Sequence, residues 1–109
     1  MHYTFPRDFW WGSASSAPQT EGNSLGGGKS ATVWDHWFAL QPERFFQQVG
    51  PQETSTFYQH WREDIELLKQ TGHNSFRTSL SWARLLPAGR GNVNEAEMRR
   101  LGERFAKLL

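Results

Sequence analysis

Thr56-Phe57-Tyr58-Gln59-His60-Trp61-Arg62-Glu63-Asp64-Ile65-Glu66-Leu67-Leu68-Lys69-Gln70-Thr71-Gly72-His73-Asn74-Ser75-Phe76-Arg77-Thr78-Ser79-Leu80-Ser81-Trp82 carries two hydrophobic periods back to back. Phe57, Trp61, Ile65 and Leu68 recur at helical spacing, and Thr56 with Gln59 has the form of a capping box. Gly72 stands where a helix end takes a left-handed residue, so the pattern predicts a helix from about Ser55 to Thr71. The period then drops to two. Phe76, Thr78, Leu80 and Trp82 fall on one side of Asn74 to Trp82, and Ser75, Arg77, Ser79 and Ser81 on the other. In a parallel barrel the apolar side would meet helices and the polar side the barrel interior.

Working outward, Phe9 to Ala14 is a short apolar run between Pro6 and Ser15-Ser16 and predicts a buried strand. From Ser15 to about Glu53 no period is sustained, although Val33, Trp34, Trp37 and Phe38 predict a helical turn within Ala31 to Leu40. A connection of that length inside a compact domain is uncommon and tends to be functional. Beyond a loop at Gly89 to Gly91, Asn94 with Glu97 caps a second helix, with Met98, Leu101, Phe105 and Leu108 on its expected buried face. The order strand, long loop, helix, strand, loop, helix indicates βαβ units and a parallel sheet. Two helices cannot cover both faces of such a sheet. The last helix also runs to Leu108-Leu109 without a cap or a polar tail, so the chain reads as cut, not finished.

Composition excludes several classes of function. Twelve Lys and Arg balance eleven Asp and Glu, leaving no footprint for nucleic acid or an anionic membrane. Cysteine is absent, which removes disulfides and thiolate metal sites. No run approaches the roughly 18 apolar residues of a membrane span. The first residues lack the pattern of a signal peptide, and a cytoplasmic protein is expected. Aromatic residues make up 15% of the chain against a mean hydropathy of −0.72. Large rings in a polar background suit sugar binding as well as an ordinary core.

Candidate motifs divide in the same way. Gly26-Gly27-Gly28-Lys29-Ser30 suggests a phosphate loop, but Asn23 stands where its first glycine belongs and no strand leads directly into it. His2, His36, His60 and His73 have no ligand spacing, and no metal or organic cofactor is expected. Arg77, between small Ser75 and Ser79, either reaches inward to a carboxylate or is a solvated arginine on an edge strand. Gln19 offers the donors and acceptors that suit a vicinal diol, or contributes only loop polarity.

Three blocks together resemble glycoside hydrolase family 1. They are Phe5-Pro6-Arg7-Asp8-Phe9-Trp10-Trp11-Gly12-Ser13-Ala14 running on to Gln19-Thr20-Glu21-Gly22, then Phe57-Tyr58 with Trp61-Arg62-Glu63-Asp64-Ile65, and then Asn74-Ser75-Phe76-Arg77-Thr78-Ser79-Leu80-Ser81-Trp82-Ala83-Arg84. The resemblance implies a (β/α)8 TIM barrel, which takes about 250 residues. Residues 1–109 would then be the amino-terminal part of a single barrel domain, truncated after its first two βα units. It also implies retaining hydrolysis of β-glycosides by two glutamates in Asn-Glu-Pro and Glu-Asn-Gly motifs. Neither motif occurs here, so both catalytic residues are expected beyond Leu109. By position, Gln19 matches the glutamine that hydrogen-bonds the non-reducing sugar, and Arg77 the arginine that contacts the nucleophilic glutamate.

Within the family, Phe45-Phe46-Gln47-Gln48-Val49-Gly50-Pro51 and His73-Asn74-Ser75-Phe76-Arg77-Thr78-Ser79 look most like the bacterial 6-phospho-β-glucosidases. A β-glucoside or 6-phospho-β-glucoside is therefore the implied partner, with neither nucleic acid nor membrane. A stand-alone carbohydrate-binding module without hydrolase activity is the alternative.

Overall fold

The computed structural model describes residues 1–23 and 26–109; Ser24 and Leu25, inside the long first loop, lie outside the described residues. Strand β1 (Gly12–Ala14) leads through a single turn, α1 (Ala17–Thr20), into the long connection that holds helix α2 (Val33–Leu40). Helix α3 (Phe57–Gln70) returns the chain to β2 (Ser75–Arg77), which is followed by the short α4 (Trp82–Leu85) and by α5 (Glu95–Leu108). The strands pair in parallel, with Gly12 opposite Ser75, Ser13 opposite Phe76 and Ala14 opposite Arg77. This is the βαβ arrangement that the alternating pattern predicts.

Helix α3 carries most of the core. Phe57, Trp61 and Ile65 are buried, and Phe76 of β2 and Leu108 of α5 pack against them. Of the apolar side read for Asn74 to Trp82, Phe76 meets the helix as expected, whereas Leu80 and Trp82 lie beyond β2 and are exposed. The end of α3 also follows expectation: Gly72 has φ 78°, its N–H donates to the Lys69 carbonyl, and His73 N–H donates to Leu68. That pair of bonds is a Schellman motif, which a left-handed glycine permits at low cost. The start of α3 differs from the capping box read at Thr56. Thr56 is itself left-handed (φ 60°), and its hydroxyl donates to the Ser55 carbonyl instead of accepting from the helix. A tertiary contact takes over the cap, because Tyr58 N–H in the first turn donates to the Glu21 carbonyl at 3.0 Å.

Both strands are shorter than predicted. Before β1, Phe5, Phe9 and Trp11 gather with ring centroids 4.7 Å apart, and the Asn74 amide bridges Phe9 O and Trp11 N in place of a ladder. Asn74 N–H also donates to the Trp11 carbonyl. Gly12 permits the close approach of the two strands, since a Cβ there would run into the Ser75 carbonyl. After Ala14 the chain turns into α1, so β2 loses its partner beyond Arg77. Side-chain hydroxyls replace the backbone ladder from there, with Ser15 Oγ 3.0 Å from Thr78 Oγ1 and Ala17 N–H donating to Ser79 Oγ. The burial expected of β1 is not found; Gly12, Ser13 and Ala14 are all exposed. A parallel strand needs neighbours on both sides and cover on both faces, and among the described residues β1 has only β2 beside it.

The other helices follow the same logic. Thr32 and Asp35 form a reciprocal capping box on α2. On α5 the Asn94 side chain accepts from Glu97 N–H, as read from the sequence. Its buried face is another matter: Glu97 and Arg104 are buried with Leu101 and Leu108 partly covered, whereas Met98 and Phe105 are each 43% exposed. The helix rolls so that its charged stripe meets the rest of the chain. Accessible surface reaches 8129 Å², against roughly 6200 Å² for a monomer of this mass. The radius of gyration is 16.5 Å, where about 13 Å suits a compact domain of this length.

Trp10, Trp82, Leu80, Met98 and Phe105 contribute to that excess. Such surface drives association. The isolated chain is therefore predicted to unfold with poor cooperativity and to sediment as a mixture of self-associated species. A sharp two-state melt at monomeric mass contradicts this.

Candidate functional site

The sequence places Gln19 and Arg77 near the carboxyl ends of the two strands, and local hydrogen bonds explain how each is held. Ser15 N–H donates to the Arg77 carbonyl at 2.8 Å, closing the ladder. Ser79 Oγ then accepts from Ala17 N–H at 2.8 Å, fixing the start of the α1 turn. Gln19 lies on that turn, exposed, with its Oε1 accepting from Ser16 Oγ at 2.6 Å. Its amide NH2 donates to no described residue. It borders an open groove of about 610 Å³ whose apolar wall includes Trp34, Phe45, Val49 and Pro51. Trp37 packs against Phe45 of that wall, with ring centroids 4.9 Å apart and planes tilted by 59°.

Arg77 is also exposed, and its guanidinium has no partner among the described residues. It is not among the residues that border the Gln19 groove. The fold thus brings the two strand ends together without placing both side chains in one cavity. No partner carboxylate for Arg77 lies within the described residues.

A buried ionic cluster lies beside this site. Glu21, two residues past Gln19, is 6% exposed, and its carboxylate meets Arg84 Nε at 3.2 Å and Arg104 Nη1 at 3.5 Å. Arg84 also donates to the carbonyls of Gly26 and Asn23, and its guanidinium lies 3.9 Å from the centroid of the Tyr58 ring. Arg100 stands 4.1 Å from the same ring and donates to the Tyr58 carbonyl. Tyr58 Oη donates to Glu97 Oε1 at 2.7 Å. Burial pushes the Tyr58 hydroxyl above its ordinary pKa of 10.0, helped by the bond to Glu97 and opposed by Arg100 and Arg84. Burial pulls Arg104 below its ordinary value, while Glu21 holds the charged form in place.

Sequence reading missed this cluster. Glu21 was visible only as part of the first family block, and Glu97 only as a helix cap. No periodicity connects residues 21, 58, 84, 97 and 104. The Gly26–Gly28 stretch is a short 3-10 turn instead of a phosphate cradle. Lys29 Nζ is held by Asp35 at 2.9 Å and by the Ser30 carbonyl. Asp35 also accepts from the Thr32 backbone and hydroxyl, so this lysine is a structural tie between the loop and α2.

Two parallel strands whose polar residues gather at their carboxyl ends fit a fragment of a (β/α)8 barrel, where sites are built on that rim. Residues 1–105 match the family model for glycosyl hydrolase family 1. The chain belongs to glycosyl hydrolase family 1. It is 55% identical over 93 residues to the 6-phospho-β-glucosidase GmuD of Bacillus subtilis (strain 168), covering 85% of this chain and 20% of that protein. Beta-glucosidase 30 of Arabidopsis thaliana is 42% identical over 88 residues, covering 81% of this chain and 15% of its own length.

Among solved structures, the family 1 β-glucosidase of Thermotoga maritima superposes with a TM-score of 0.86 at 33% identity, over 95% of this chain and 23% of that one. Aphid myrosinase gives 0.91 at 26% identity, over 97% and 23%. The chain spans a fifth or less of the length of these two curated relatives.

Two outcomes follow from the cluster. Removing one partner of a buried ion pair costs about 3–5 kcal/mol, against at most about 1 kcal/mol for an exposed pair such as Arg62–Glu103. In the longer protein that carries this chain, Glu21→Gln is predicted to lower the urea midpoint far more than Arg62→Gln; equal shifts contradict this. The Tyr58 shift contributes stability below pH about 10 that is lost as pH rises through its raised folded value. In a tyrosinate absorbance titration, the component removed by Tyr58→Phe should lie above 10.0 in the folded chain and fall on adding urea.

Proposed function

We propose that the protein carrying this chain hydrolyses β-glycosides with retention, and that its substrates are 6-phospho-β-glucosides. The match to a relative named a 6-phospho-β-glucosidase carries this reading. Residues 1–109 contribute the amino-terminal part of a single (β/α)8 barrel domain, its first two βα units, and supply supporting residues of the sugar site.

Gln19 hydrogen-bonds hydroxyls of the non-reducing sugar through an amide whose NH2 group donates to no described residue. Arg77 faces the nucleophilic glutamate, which comes from outside residues 1–109. A guanidinium beside that carboxylate favours its ionised form and fixes its direction of attack. In such a reaction one carboxylic acid protonates the leaving oxygen while the carboxylate attacks the anomeric carbon. The glycosyl-enzyme so formed is then hydrolysed by water, which the first residue activates as a base. No cofactor enters any of these steps.

Arg77, like exposed Arg7, Arg44, Arg90 and Arg99, has no ion pair among the described residues. What supports a carboxylate partner for it elsewhere in the protein is its place at the carboxyl end of β2, where the family arginine stands. The excess of exposed apolar surface weighs against the reading as a self-standing carbohydrate-binding module.

The 109-residue chain alone should release no chromophore from a chromogenic β-glucoside or from its 6-phosphate; measurable turnover contradicts the proposal. In the complete enzyme, Arg77→Gln should lower kcat by about 100-fold or more, as loss of a charge-stabilising donor does. Arg62→Gln should leave it unchanged. An Arg77 variant with full activity removes the role assigned to that residue.

A further inference from the structure

We propose that Glu21 is a positioning residue for Gln19: its buried carboxylate, gripped by Arg84 and Arg104, fixes the α1 turn and with it the aim of the Gln19 amide. The inference rests on the reading of Gln19 as a sugar-binding residue.

Helix α1 has four residues, and a single helical turn has almost no stability of its own. Gln19 makes one local side-chain contact, with Ser16, and is otherwise exposed. Its place is therefore set by the groups that hold the turn on either side. Before it, Ser79 Oγ accepts from Ala17 N–H at 2.8 Å. After it, Thr54 Oγ1 donates to the Thr20 carbonyl at 2.9 Å and Tyr58 N–H donates to the Glu21 carbonyl at 3.0 Å.

The Glu21 side chain is the strongest of these anchors. Its two oxygens each meet a different guanidinium, Arg84 from α4 and Arg104 from α5. Single guanidinium contacts from two separate helices, one to each oxygen, restrict both the position and the plane of a carboxylate, which one backbone hydrogen bond cannot do. Apolar packing of the same volume would stabilise the fold at least as well. What the ionic cluster adds is a fixed register between the turn that carries Gln19 and the two helices behind it. Gly22, at φ 63°, then reverses the chain immediately after the anchored residue.

The test is a double-mutant cycle in the complete enzyme, measured as kcat/KM on a chromogenic 6-phospho-β-glucoside and normalised to the folded fraction. Gln19→Ala should lower kcat/KM by about tenfold or more, and Glu21→Gln by a comparable factor. If Glu21 acts through Gln19, the double variant should lie within about threefold of Gln19→Ala alone. Losses that multiply overturn the positioning role and leave Gln19 as a sugar ligand. Gln19→Ala without effect removes the reading of Gln19 itself, and the inference with it. Should Glu21→Gln fail to accumulate as folded enzyme, Arg104→Lys loosens one arm of the clamp while keeping its charge. It must then show the same coupling to Gln19.

Discussion

The carboxylate of Glu21, held between Arg84 and Arg104, is the contact on which the rest of this chain depends. Each charge taken out of water costs several kcal/mol, so the arrangement is stable only while its members stay paired. Three segments far apart in the sequence meet there: the turn after β1, the short helix after β2, and the last helix. The Glu21 carbonyl meanwhile caps α3, the helix that supplies the buried Phe57, Trp61 and Ile65. One residue thereby joins the ionic cluster to the apolar core.

From that junction the candidate site follows. The same turn that ends in Glu21 carries Gln19, and the register of β1 against β2 sets Arg77 opposite Ala14. Both side chains lie at the carboxyl ends of parallel strands, the rim on which barrel enzymes assemble their sites. Arg77, exposed at the end of β2, has no counter-charge among the described residues. Membership of glycosyl hydrolase family 1 gives that position its proposed meaning, a guanidinium waiting for a carboxylate from another part of the barrel.

Much of this architecture was legible in the sequence. Spacing of Phe57, Trp61 and Ile65 located α3, Gly72 located its end, and the change of period at Asn74 located β2. The misreadings share a cause. The Thr56 cap failed because a distant carbonyl, that of Glu21, satisfied the helix start. Strands came out short because side chains such as Asn74 and Ser79 replaced the backbone ladder. On α5 the apolar stripe was correctly seen, but the Glu97 and Arg104 side chains had buried partners that turned the stripe partly outward. Local patterns report which face is apolar; they do not report which tertiary partner claims it. For the same reason Gln19 and Arg77 acquired roles through resemblance alone, and the Glu21 cluster was invisible until the chain was folded.

The most direct test of this account is a crystal structure of the complete enzyme with a non-hydrolysable β-glycoside bound. It should place the Gln19 amide within hydrogen-bond distance of the sugar hydroxyls. The Arg77 guanidinium should lie against a glutamate contributed from outside residues 1–109. A sugar bound away from the ends of β1 and β2, or an Arg77 side chain still facing solvent, would contradict it.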